Sequence, residues 1–270
     1  MVVITANQRD IIFDAVRAMY TNVATCPAQE FHFPTGRAAC EFLDYPRPLL
    51  DWLPGTAVES FAGVGYPFAA GVIREGNVVL DIGSGSGTDA LLARLLVGER
   101  GRVIGLDLTD AMREKFIGTV RALGITNLEC AGGNAELIPL RDASVDVVTS
   151  NGVLNLVPDK PRAIGDMYRV LRPGGRVQIA DIVVGTLPSD ACRGQPQLWA
   201  ECIVGATTER AYIDNFLAAG FSDLEVLSHL DYFARSPSAE TRKVARSFAA
   251  RAIVLRALKT HVEGSQPIAN

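Results

Sequence analysis

Apolar residues recur at helical spacing over residues 7–20, at Ile11, Ile12, Ala15, Val16 and Met19, and predict an amphipathic N-terminal helix. Residues 25–34 interrupt the pattern with two prolines. Residues 36–43 and 48–53 read as short helices separated by Tyr45-Pro46-Arg47-Pro48, and small residues and glycines fill 56–66. The first quarter of the chain is thus expected to be a helical cap, residues 1–75. From residue 77 the rhythm changes. Apolar runs at Val78–Ile82, Arg102–Asp107, 127–131, 145–150 and 176–184 read as strands. Between them lie helical patterns at Thr88–Val97 (Leu91, Leu92, Leu95, Leu96), 110–123 and 160–171. Residues 187–206 read as a helical insertion, followed by a helix at 209–219. Two β-rich stretches, 224–233 and 252–258, flank a helix at 239–248. Strands alternating with helices of this length predict an α/β fold, a parallel sheet covered on both faces. No internal repeat or low-complexity tract is present.

Composition narrows the class. The 270 residues suffice for one large domain or a domain with an extension, and 48% hydrophobic with 21% charged residues is ordinary for a globular protein. A net charge of −4 without a dense Lys/Arg run argues against nucleic acid as a partner. No apolar run is long enough for a bilayer, so no membrane partner is expected. The first ten residues lack a basic region followed by an apolar one, which leads to the expectation of a cytoplasmic protein. Five cysteines, at 26, 40, 130, 192 and 202, contain no C-x-x-C and are expected to be reduced thiols. No metal site and no oligomeric state are assigned.

The chemistry concentrates at residues 78–87, Val-Val-Leu-Asp-Ile-Gly-Ser-Gly-Ser-Gly. Here a buried strand ends near Asp81 and runs through Gly83, Ser84, Gly85 and Gly87 into a helix. Strand, tight glycine turn and helix N-terminus together form a nucleotide site. The dinucleotide fingerprint G-x-G-x-x-G needs its third glycine where Thr88 stands, so the spacing disfavours a nicotinamide oxidoreductase. Asp107 closes the second strand, 24 positions after Gly83, where a carboxylate accepts hydrogen bonds from ribose hydroxyls. A helix N-cap role for Asp107 is the alternative, but Asp110 is better placed for it. Leu108 follows directly. Gly133-Asn134-Ala135-Glu136 comes after the third strand and Ser150-Asn151-Gly152 after the fourth, at the carboxyl edge where a crevice is expected. Leu171-Arg-Pro-Gly-Gly175 stops a helix.

In this order these segments resemble class I S-adenosylmethionine (SAM)-dependent methyltransferases. The resemblance implies a Rossmann-like, seven-stranded, mostly parallel sheet with an antiparallel last strand, and SAM as cofactor. It implies cofactor contacts from Asp81, Gly83, Ser84, Gly85, Gly87, Asp107, Leu108, Asn134, Ala135, Glu136, Asn151 and Gly152, within a domain covering 76–270. Asn134 stands where the family often has Asp facing the adenine amino group; a simple turn with a left-handed Asn is the other reading.

Residues 150–160, 180–184 and 198–206, with 59–66 ahead of the glycine turn, are similar to the arsenite methyltransferase family in particular. Members bind trivalent arsenic through several cysteine thiolates, one after the fourth strand and one in a Trp-x-x-Cys segment. Cys202 matches the second position, whereas Gly152 falls on the first and offers no ligand atom. Cys202 is therefore either a substrate-facing thiol or a small buried residue of the insertion. His32, between Phe31 and Phe33, is either a substrate-side base or a structural histidine. Tyr66, Asn155 and Trp199 are assigned to the substrate side, with core packing as the alternative for Tyr66 and Trp199.

The expected activity is methyl transfer to a small molecule, arsenite-like or an organic C-, N-, O- or S-acceptor. A SAM-binding protein without turnover is the reading from another class.

Overall fold

The structure is a computed structural model that describes residues 4–189, 199 and 203–260. The cap contains α1 (Ala6–Thr25), α2 (Gly36–Phe42), α3 (Arg47–Trp52) and α4 (Gly55–Val58). Thr5 caps α1 reciprocally with Gln8, which fixes where the helix starts. The sheet follows with β1 (Val78–Ile82), α5 (Thr88–Val97), β2 (Arg102–Asp107), α6 (Asp110–Ala122), β3 (Leu128–Gly132), β4 (Val145–Asn151), α7 (Lys160–Val170) and β5 (Leu171–Val184). It ends with β6 (Thr207–Thr208), α8 (Glu209–Ala218), β7 (Phe221–Leu230), α9 (Ala239–Ser247) and β8 (Arg251–Lys259).

The strand order is β3-β2-β1-β4-β5-β8-β7, with β6 beside β5 off the main path. The β1–β5 pairings are parallel, and β8 runs antiparallel between β5 and β7. The sheet therefore has eight strands rather than seven. The extra one is two threonines that pair with Val183 and Val184, too short to show an alternating pattern. Val79, Val103 and Val147 point to one face, where α1, the cap, α5 and α6 pack (Ile12, Val16, Leu91, Phe116). Leu80, Ile104 and Val148 point to the other, under α7 and α8 (Ile164, Met167, Tyr212, Phe216). This is the period-two split a doubly covered sheet requires. Residues 190–198 and 200–202, most of the expected insertion, lie outside the described residues, and so does Cys202. Among the described residues no helix is long and apolar enough to cross a membrane.

Candidate functional site

The carboxyl ends of β1, β2 and β4 converge on a cleft, the place where ligands bind in open α/β sheets. Its floor is the glycine turn. The amides of Gly83 and Ser84 donate to the Leu106 carbonyl at 2.7 and 3.2 Å, which ties the turn to β2. Gly83 has φ +70°, and a Cβ there would sit 2.2 Å from Val153 Cγ2, so only glycine fits. Asp107 accepts from the Gly85 amide on Oδ2 and from the Thr109 amide on Oδ1, both at 2.8 Å. It thus joins the turn to the start of α6. Burial raises its pKa, and these two amides work against the rise.

Of the residues assigned to the cofactor, all but Gly87 and Glu136 line this cleft. Gly87 lies behind the turn with φ +97°, where a Cβ would press 2.8 Å from Phe116 Cδ2. The Glu136 carboxylate is buried; it accepts from the Asp159 amide at 2.8 Å and pairs with Arg9 of α1. Asn134 lines the cleft, yet its Oδ1 accepts from the Glu136 amide at 2.9 Å, so the side-chain oxygen is engaged within its own turn.

Of the residues assigned to substrate and catalysis, Cys202 lies outside the described residues, and the other four do not line the cleft. His32 meets Phe33 edge-on at 4.6 Å, and its carbonyl accepts from the Ser236 hydroxyl at 2.5 Å. Burial lowers its pKa. Tyr66 packs edge-on against Tyr45 at 4.7 Å. The buried Asn155 donates its amide to Asp181 at 3.1 Å, and the buried Trp199 lies under the Lys160 ammonium at 5.0 Å. None of these four lines the cleft.

Other residues do, and the sequence assigned none of them to the site. Phe13, Val16 and Tyr20 of α1 form one wall. Asp89, in the first turn of α5, forms part of another. Its only sequence signal is a carboxylate ahead of the apolar run Ala90-Leu91-Leu92. Tyr45 Oη donates to Asp89 Oδ1 at 2.6 Å, and Asn151 Nδ2 donates to Asp89 Oδ2 at 3.0 Å. Burial pushes Asp89 up to about 6, against the pull of these two donors.

Asp81 is also buried, and its Oδ2 has no hydrogen-bond partner. Burial raises its pKa, and Asp89 and Asp107 raise it further. Three buried carboxylates around one cleft, one with an unpartnered oxygen, suit a cationic ligand. SAM carries a sulfonium and an ammonium, and so fits this donor set. Among the described thiols, burial pushes Cys130 up to about 12 and raises buried Cys40, while Cys26 is exposed. Among the described residues no three His, Cys, Asp or Glu side chains are grouped to hold a metal ion.

Parallel strands, a glycine turn at their carboxyl edge and an acid at the end of β2 define the class I methyltransferase architecture. A methyltransferase-domain family matches residues 73–231, more than half of the chain, and the chain belongs to that family. Within it the similarity runs to arsenite methyltransferases. That of Halobacterium salinarum is 41% identical over 167 residues, covering 61% of this chain and 42% of the relative. A crystal structure of the arsenic(III) SAM methyltransferase of Chlamydomonas reinhardtii matches with a TM-score of 0.61 at 32% identity, covering 86% of this chain and 75% of that one. The ubiquinone/menaquinone C-methyltransferase UbiE of Klebsiella pneumoniae is 39% identical over 110 residues, covering 40% of this chain and 44% of the relative. The chain spans about two-fifths to half of the length of these curated relatives.

Proposed function

We propose that the protein transfers a methyl group from SAM to a small acceptor, and that trivalent arsenic is one such acceptor. The observation that carries the donor half is the buried, unpartnered Asp81 Oδ2 beside the Gly83–Gly87 turn. A ligand that brings a cationic N–H donor to that oxygen compensates its burial most strongly. SAM supplies an activated methyl on a sulfonium, which passes to the acceptor lone pair while the C–S electron pair returns to sulfur and S-adenosylhomocysteine leaves.

The chain's own task is then alignment and exclusion of water. Asp107 would receive the ribose hydroxyls with the lone pairs left over from Gly85 and Thr109. Leu108, Met112 and Ala135 offer apolar faces for the adenine, and the Asn134 amide group would address its edge. Asp81 would face the ammonium. Phe13, Val16 and Tyr20 of α1 would shut water out.

Arsenic as acceptor is supported by the names of the similar proteins. Gly152 at the cleft, with neither Cys40 nor Cys130 among the residues that line it, favours a second reading, an organic acceptor. Cys202 as a substrate-side thiol remains part of the proposal, whereas His32 does not line the cleft.

The test is calorimetric titration with SAM, followed by reaction with arsenite and a dithiol reductant. Methylated arsenic is read by mass spectrometry coupled to elemental detection. Saturable SAM binding with methylarsenicals formed supports both halves. SAM binding without any methylarsenical moves the acceptor to the organic class, and absence of SAM binding defeats the proposal.

A further inference from the structure

Asp89 is held from both sides by groups that have no contact with it in sequence. Tyr45 reaches it from the cap at 2.6 Å. Asn151, at the end of β4, reaches its other oxygen at 3.0 Å and also donates to Tyr45 Oη at 3.0 Å and to the Gly65 carbonyl at 2.9 Å. Asn151 Oδ1 meanwhile accepts from the amides of Val64 and Gly65 at 2.7 and 3.2 Å. The amide of Asn151 is thereby saturated and its orientation fixed: oxygen toward the 62–65 turn, nitrogen toward Asp89. The turn lies directly on this amide. A Cβ on Gly63 would come within 2.5 Å of Asn151 Nδ2, and one on Gly65 within 2.8 Å of Ala180 Cβ. Ala62, Gly63, Asp89 and Asn151 all line the cleft, and the turn packs on Gly152, where a Cβ would lie 3.2 Å from Val64 Cγ1 and 3.7 Å from the Ala62 carbonyl oxygen.

We propose that Asp89 is a positioning residue for methyl transfer: through Tyr45 and Asn151 it sets the 62–65 turn against the methyl-bearing end of the donor site. This rests on the donor reading above. Two properties separate this arrangement from packing alone. An apolar trio of similar shape would fill the same space without desolvating a carboxylate. The chain instead supplies three mutually bonded polar groups, and the one in the middle fixes the backbone of a cleft wall. Loss of one bond then moves a turn, and small displacements at a reacting centre carry large rate penalties.

The charged and titratable groups that face Asp89 come from several elements. Tyr45 and Cys40 belong to the cap, Tyr66 to the loop ahead of β1 and Asp81 to β1. Asp89 raises the pKa of Tyr45, Cys40, Tyr66 and Asp81. Tyr45 therefore stays a phenol and a donor wherever Asp89 is ionised. Protonation of Asp89, at about pH 6, puts a proton on one of the two oxygens to which Tyr45 and Asn151 separately donate, and so weakens the hold on the Asn151 amide that carries the turn.

The experiment compares wild type with Tyr45→Phe, which keeps the ring edge against Phe61 at 5.3 Å and loses only the hydroxyl. Asp89→Asn serves as the second variant. Calorimetry gives the SAM dissociation constant, kinetics give kcat and acceptor KM across pH, and amide exchange reads Val64 and Gly65.

For Tyr45→Phe the expected result is a SAM constant within about threefold of wild type, a kcat lower by about tenfold or more, and faster exchange at Val64 and Gly65. Its acid limb of kcat moves to higher pH, because the phenol that held Asp89 down is gone. In Asp89→Asn that limb disappears.

If wild type binds SAM but kcat and the acid limb are unchanged in both variants, the positioning role is overturned and methyl transfer stands. If wild type does not bind SAM, the donor reading fails and this inference falls with it.

Discussion

Val64 and Gly152 touch across the cleft wall: a Cβ on Gly152 would lie 3.2 Å from Val64 Cγ1. Gly152 has φ +76° and donates its amide to the Ala180 carbonyl at 2.8 Å. A side chain here meets both a left-handed backbone and a tight neighbour. Gly152→Cys should therefore cost about 1–2 kcal/mol, seen as a melting temperature lower by roughly 2–8 °C. The new thiol would stand at the cleft. Equilibrium dialysis with elemental detection should then show more trivalent arsenic retained than by wild type. Equal retention by the two proteins would mean that position 152 does not face the acceptor.

The pair between Arg9 of α1 and the buried carboxylate of Glu136 ties α1 to the segment that follows β3. Arg9→Ala leaves the Glu136 carboxylate with the Asp159 amide, at 2.8 Å, to hold it. Because the Arg9 side chain keeps 29% exposure, the expected loss is below that of a fully buried pair, about 2 kcal/mol in urea unfolding. Adding Glu136→Gln should recover most of it, since the stranded charge is then removed. A double variant as unstable as Arg9→Ala would show that the pair's charge is not what matters.

Asp107 is both a structural acceptor and the proposed ribose ligand. Asp107→Ala removes the acceptor for the Gly85 and Thr109 amides together, so the glycine turn loosens as the ligand group is lost. SAM affinity measured by calorimetry should fall by about a hundredfold or more. Asp107→Asn keeps the shape but turns one oxygen into a donor facing an amide donor, and should fall nearly as far. Retention of wild-type affinity in Asp107→Ala would remove it from the donor site.

The sheet was legible because its signals are local. Val78–Ile82 and Arg102–Asp107 are short apolar runs with glycine or a helix pattern after each, and their observed bounds match the expected ones. The glycine turn was legible because its backbone conformations leave few residue choices, as at Gly83. What the sequence hid is what needs long-range pairing. Asp89 meets Tyr45 across 44 positions and Asn151 across 62, and neither spacing carries a period. β6 was hidden because two threonines have no alternation. The assignment of His32, Tyr66, Asn155 and Trp199 to substrate used residue type alone. In the structure their burial among aromatic rings, or their bonds to Asp181 and Ser236, uses the same chemistry away from the cleft.

Asp181 offers a test of electrostatics away from the donor site. It is fully buried at the end of β5 and accepts from Tyr212 Oη at 2.8 Å, the Ile182 amide at 2.7 Å and the Asn155 amide at 3.1 Å. Burial outweighs these donors and the nearby Lys160, and pushes its pKa up to about 6 from 3.8. The folded protein then binds the proton more tightly than the unfolded chain. The stabilisation is complete below about pH 4 and is lost as pH rises through about 6. The gap between the two values corresponds to at most roughly 3 kcal/mol. Asp181→Asn lacks this dependence. Urea unfolding of both proteins between pH 4.5 and 7 cancels every other titrating group in the difference. The variant should gain on wild type as pH rises, by about 2 kcal/mol across the window. A difference that stays constant with pH would show that Asp181 is ionised in the folded protein throughout, with Tyr212 and the two amides fully compensating its burial.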